Sequence, residues 1–286
     1  MTSPGLISAV PLLRGALQWL FGILFALSLI AFFLVVNGVQ LTSSGTAQRI
    51  LSRAVADLTE IDAVLPTIQA DLVEAAQASE EATVTVPHFP LPVELPREEA
   101  ATISAAELRS LLLSESAEAI YKEGMSAWAL ADPEAEQDID VFSPEGGVQR
   151  GLGFLSDDNH QALRIAAIVL GLISLALGAL FLISTQGMGR LVALGAGVLG
   201  AAVPSLLAAV AVRFAFRTAS EDQKDYMLMR LLDLGNDAAW LTLRNYTILT
   251  LVGLGLVLVG LALVLLEMRQ RAAPAAPAVD NGAAEA

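Results

Sequence analysis

The sequence predicts an all-α membrane protein: a four-transmembrane-helix bundle with a mainly helical, acidic extramembrane domain between helices 1 and 2. Three observations lead there. Of 286 residues, 55% are hydrophobic and only 16% are charged, against about 25% charged in an ordinary soluble domain. The deficit is concentrated in four runs without any charge, Ala16–Val36, Ile165–Ser184, Leu191–Val212 and Thr247–Leu266, each of 20 to 22 residues. About 20 apolar helical residues cross a hydrocarbon core of ~30 Å. Finally, Asn37–Gln161 carries 22 of the 30 acidic residues and 6 of the 16 basic ones, a net −16 in a chain whose total is −14.

Residues 1–15 form a short N-terminal segment and 16–36 the first span. That run exceeds the ~7–15 residues of a signal-peptide core, and no small-residue cleavage site follows it promptly, so it reads as an uncleaved anchor. Residues 37–164 form the acidic domain. Leu51, Leu58, Leu65 and Leu72 recur every seven residues, with Val55, Ile61 and Ile68 at helical spacing. Pro66 interrupts this run and restarts it as a first-turn proline. Asp62 and Gln69 occupy the alternate heptad sites, which favours two amphipathic helices packing within one chain over a dimeric coiled coil.

The strip Thr83–Pro96 holds prolines 87, 90, 92 and 96, and reads as an extended, stiff spacer between helical parts. Ser104 and Glu107 have capping-box spacing, opening a helix with Leu108, Leu111, Leu112, Ala119 and Ile120 on one face. It is expected to reach about Trp128 and to end before Asp132–Pro133. Asp132–Gly147 is acidic and turn-rich. Asp157 and Asp158 precede the second span, where a helix N-terminus favours negative charge.

The second and third spans are 165–184 and 191–212. Residues 213–246 read as an external helical hairpin. Ser220 and Gln223 have capping-box spacing, Met227, Leu228, Leu231 and Leu232 give an apolar face, and Leu234–Gly235–Asn236–Asp237 looks like a C-cap, turn and new N-cap. Trp240 and Tyr246 suit interfacial depth. The fourth span is 247–266, and 267–286 reads as a disordered cytoplasmic tail rich in Ala and Pro.

Orientation pulls two ways. Counted literally, Arg213, Arg217, Lys224, Arg230 and Arg244 favour an N-terminus outside by the positive-inside rule. Long segments translocate largely regardless of charge, and Arg269 and Arg271 form a cytoplasmic-type flank after the last span. Both termini are therefore expected inside and the acidic domain outside.

The sequence offers little for catalysis. His88 and His160 lack a partner at metal-ligand spacing, and helix capping accounts for Asp157 and Asp158 beside His160. A calcium loop starting at Asp132 needs glycine and a carboxylate where Gln137 and Ser143 stand. There is no nucleophile elbow, phosphate loop or dinucleotide fingerprint, and Asn245–Tyr246–Thr247 abuts a span too closely for glycosylation. No ionisable residue lies within the four runs, which disfavours intramembrane proteases and proton-coupled transport. Pro204–Ser205 reads as a tolerated kink with serine back-bonding rather than an ion site. Catalytic, cofactor and metal residues are thus expected to be none. Without cysteine there are no disulfides or thiolate sites, and so acidic a segment does not suit nucleic acid.

The spans do carry a pattern of small residues: Gly171, Ser174 and Gly178 in the second, Gly197 and Ala201 in the third, Gly253 and Gly260 in the fourth. Small side chains let helices approach closely in lipid, so these seven are the expected helix-packing residues. Gly22 with Ala26 adds a patch in the first span.

This layout resembles that of uncharacterised bacterial four-span membrane proteins with a large helical extracytoplasmic loop after the first span. The likeness is one of architecture and implies no activity and no site residues. It differs from tetraspanins and claudin-type proteins, which carry cysteines in their large loops. The expected function is that of a non-enzymatic, multi-pass cell-membrane protein whose acidic ectodomain senses, scaffolds or binds an envelope partner. The alternative is a channel or transporter subunit built on the four-helix bundle. The expected partners are the lipid bilayer and an envelope or membrane protein, or a second copy of the chain, without nucleic acid.

Overall fold

The computed structural model describes residues 9–124, 151–185, 189–222 and 226–272, and among these it forms eight helices and one small sheet. In chain order these are α1 (Ala9–Leu41), α2 (Ser44–Leu58), α3 (Ile61–Ala78), β1 (Thr83–Thr85), β2 (Glu94–Pro96), α4 (Arg97–Ala100), α5 (Ala105–Glu123), α6 (Asp157–Ser184), α7 (Gly189–Asp222) and α8 (Tyr226–Ala272). Among the described residues four helices are long and apolar enough to cross a membrane: Gly15–Leu41, Asp157–Ser184, Gly189–Glu221 and Gly235–Gln270, with mean hydropathy of 2.1 to 2.9. Their large side chains stay exposed, among them Leu24, Ile168, Leu175, Leu207, Leu251 and Leu258. An apolar surface so extensive is one that lipid, not water, accommodates.

The chain divides into two units. The first comprises residues 1–30, 172–206 and 246–286. Within it Phe25 of α1 and Phe181 of α6 stack with ring centroids 6.2 Å apart. Ala201 and Ala202 of α7 are fully buried, and Ser205 Oγ donates to Ala201 O at 2.9 Å, one residue after Pro204. The helix continues through that proline.

The second unit comprises residues 31–171 and 207–245. Its core draws Leu51, Ala54 and Val55 from α2, Ile61, Leu65, Ile68 and Leu72 from α3, and Leu108, Leu112, Ala117 and Ile120 from α5. Each fully buried aliphatic side chain contributes about 1.5–3 kcal/mol. α2 and α3 both pack on α5. The Ser104–Glu107 capping box is formed, with Glu107 N donating to Ser104 Oγ and Ser104 N to Glu107 Oε2. Leu152 and Leu155, just ahead of α6, complete the cluster.

Several sequence expectations are corrected. The proline strip is not a spacer but an antiparallel β-hairpin, pairing Val84 with Leu95 and Thr83 with Pro96. Val84, Val86, Leu91, Val93 and Leu95 are buried, and these two three-residue strands are the exception among described residues that are otherwise predominantly helical. The break between α2 and α3 falls at Thr59–Glu60, where Glu60 adopts a left-handed conformation (φ 45°). Pro66 lies inside α3 and restarts nothing.

The cap-and-turn read at Leu234–Asp237 is absent, because α8 runs unbroken through it. Gly235 serves packing instead: an added Cβ would lie 2.9 Å from the Phe216 ring. Ser220 lies within α7 rather than at an N-cap. α5 ends at Glu123, with Gly124 at φ 70°. Trp128, the acidic stretch Asp132–Gly147 and the tail beyond Ala272 lie outside the described residues.

Candidate functional site

Three arrangements could carry function: the small-residue faces, an amide cluster and an acid-rimmed cleft. In the first unit, Cβ atoms added at Gly178 and Gly197 would lie 2.9 and 3.1 Å from the Phe25 ring. A Cβ added at Gly253 would meet Leu199 and Val198 at 3.0 and 3.1 Å, and one at Gly260 would lie 2.7 Å from the Val192 backbone nitrogen. Ala201 and Ser174 are buried, and Ser174 Oγ has no hydrogen-bond partner. In the second unit, a Cβ added at Gly171 would lie 3.1 Å from the Phe32 ring.

Sequence reasoning passed over Gly195, where an added Cβ would lie 2.8 Å from Gly253 O and Val257 N. Leu191 and Leu199 stand four residues to either side, so a search for small residues at four-residue spacing misses it. The same reasoning missed Gly38, where a Cβ would meet Leu163 at 3.1 Å.

The amide cluster lies in the second unit. Asn245 Nδ2 donates to Asn37 Oδ1 at 2.6 Å and to Gln40 Oε1 at 2.8 Å. α1 continues to Leu41, past its apolar run, and its two amides there find a partner on α8. Asn245, noted above only as a glycosylation match, is engaged here. Nearby on the chain, Thr42 is fully buried, and its Oγ1 lies 3.2 Å from His160 Nδ1 while donating to Gly38 O. Interhelical amide bonds of this kind are worth about 0.6–2 kcal/mol in membranes.

The third arrangement is a cleft of about 220 Å³ between the hairpin and α5. Leu91, Val93 and Ala119 supply apolar walls, and Glu94, Glu115 and Glu123 supply carboxylates. Ser116 lines it too, fully buried, with Oγ unpartnered. Glu94, Glu115 and Glu123 are exposed, and no Asp or Glu is buried among the described residues.

Ionisable groups of this unit are tuned by local partners. Hydrogen bonds from Arg109, at 2.6 and 3.1 Å, hold the Asp62 carboxyl below its ordinary range, and burial opposes them. The Ser104 hydroxyl and backbone N–H do the same for Glu107. The Tyr121 hydroxyl is pushed up, first by burial and then by Asp157, to which it donates at 3.3 Å.

Among the described residues no group of three His, Cys, Asp or Glu side chains is placed to hold a metal. Asp157 and Asp158 occupy the first turn of α6. His88 is exposed, 3.8 Å from Asp71. The carboxylates at 132–140 lie outside the described residues. Comparison with protein-family models, with curated proteins and with solved structures finds no match, and the functional reading rests on the residues themselves.

Proposed function

We propose that this chain is a non-enzymatic, multi-pass protein of a bacterial cell membrane, with both termini cytoplasmic. Its acidic domain, residues 37–164, lies outside the membrane and binds a basic segment of another envelope protein, as a sensor or scaffold. The observation that carries this reading is the acid-rimmed cleft of Leu91, Val93, Glu94, Glu115, Ala119 and Glu123. Its apolar walls suit the methylene stem of a Lys or Arg side chain and its rim suits the charged head. The surrounding negative surface would steer such a partner at low salt.

The test is site-specific photocrosslinking in intact cells, with the reactive group at Ala119. A single discrete adduct is expected, lost in Glu94→Lys/Glu115→Lys and weakened by added salt. An adduct of equal yield in the charge-reversed protein would overturn the reading.

A further inference from the structure

A second cleft, of about 370 Å³, lies wholly within the second unit and is different in kind. Leu34, Leu41, Phe154, Leu163 and Leu241 line it, with Asn37 and Thr242 as its polar side chains. It is open at the side, where Leu34 is 65% and Phe154 41% exposed. The apolar run of α1 gives way to polar residues at Asn37, that of α6 begins after Arg164 and that of α8 after Asn245. Asn37, Leu163 and Thr242 therefore all sit within five residues of those boundaries. This is the level at which hydrocarbon gives way to the polar interface of a bilayer.

Asn37 carries a chemical demand. Its side chain is 7% exposed, and its Oδ1 accepts from Asn245, but its Nδ2 has no acceptor. A buried donor left in this state is costly. Water meets such a demand poorly here, since a buried water takes about three hydrogen bonds and the lining offers polar side chains at Asn37 and Thr242 alone. An occupant that suits the cleft is long and apolar, with one acceptor near its polar end.

We propose that the cleft holds one acyl chain of a glycerophospholipid, whose ester carbonyl accepts a hydrogen bond from Asn37 Nδ2. The apolar lining takes the chain, and the headgroup remains at the interface outside the open side. Gly38 keeps α1 and the Leu163 side chain close at the cleft wall, where a Cβ would meet Leu163 at 3.1 Å.

The ester oxygen makes this testable in the unaltered protein. The full chain in mild detergent is equilibrated with equal amounts of a diacyl phosphatidylcholine and its dialkyl-ether analogue, and retained lipid is read by native mass spectrometry. The ether has the same headgroup and chains but no carbonyl. One retained lipid per protomer is expected, with the ester favoured about fivefold, the value of one hydrogen bond. Asn37→Leu should bring that ratio to one, and Ala238→Trp, which fills the cleft, should abolish retention of both lipids. Equal retention of ester and ether by the unaltered protein would overturn the proposal. So would a preference that survives in Asn37→Leu, or retention unchanged in Ala238→Trp, which would mark the lipid as non-specific. Displacement of the phospholipid by equimolar oleate would assign the cleft to a free fatty acid instead, and would equally overturn it.

Discussion

At Gly195 and Gly260 an added methyl would lie within 2.8 Å of backbone atoms of the facing helix, whereas at Gly178 it would meet only the end of the Phe25 ring. Backbone cannot step aside as a ring can. Gly195→Ala and Gly260→Ala should therefore destabilise by about 1–3 kcal/mol, Gly178→Ala by less, and Gly255→Ala, with nothing within 4 Å, hardly at all. Melting temperatures in detergent check the order, and equal melting of Gly195→Ala and Gly255→Ala would remove the case for backbone contact. The pattern of small residues was legible in the sequence, but which of them face backbone was not, since spacing describes one helix and the contact belongs to two. A second residue-scale expectation concerns Tyr121. Burial and Asp157 raise its hydroxyl above the ordinary value of 10.0, so the folded state holds this proton more tightly than the unfolded one. The associated stability is complete below about pH 10 and is lost as pH rises through the raised value. Tyr121→Phe should make the alkaline loss of helicity, followed by circular dichroism, begin at higher pH. Identical profiles would show that this hydroxyl does not contribute.

The hairpin shows why some elements stayed hidden. Prolines 87, 90, 92 and 96 dominate the local reading, yet Pro87, Pro90 and Pro92 fall between the two strands and Pro96 at the last pair, where a missing N–H costs the ladder little. The period-two signal of Val84 and Val86, then Val93 and Leu95, was present but short. Gly235 illustrates the converse. A glycine beside Asn236 and Asp237 has the composition of a helix end, and only the Phe216 ring against it identifies a packing glycine inside α8. The Ser104 capping box was legible because all its partners lie within four residues. Since the core also uses Leu152 and Leu155, a soluble fragment of residues 44–156 should melt cooperatively and at higher temperature than one of residues 44–151. Both transitions should shift upward with sodium chloride, as screening relieves repulsion among the surface carboxylates. If the two fragments melt alike, the segment after residue 151 is dispensable to the core.

Across the whole chain, the four apolar helices were the most legible feature, because a helix in lipid must satisfy its backbone internally and therefore declares itself as one long uncharged run. Pairings over long separations were the least legible, such as Arg53 with Asp237 across 184 positions. The proposed topology is accessible to labelling, since the chain has no cysteine of its own. Ser79→Cys should react with a membrane-impermeant maleimide on intact cells and Gly189→Cys only after lysis; the opposite result would invert the orientation. The amide cluster has a further consequence, in time rather than space. Asn37 and Gln40 meet Asn245 only after about 200 further residues have been made, which at ~5–20 residues per second is a delay of roughly 10–40 s. During that interval the first helix carries two amides whose partner does not yet exist, so a nascent chain that stalls before α8 differs chemically from a finished one at the membrane boundary. The cluster therefore forms only in a chain that has been made through Asn245.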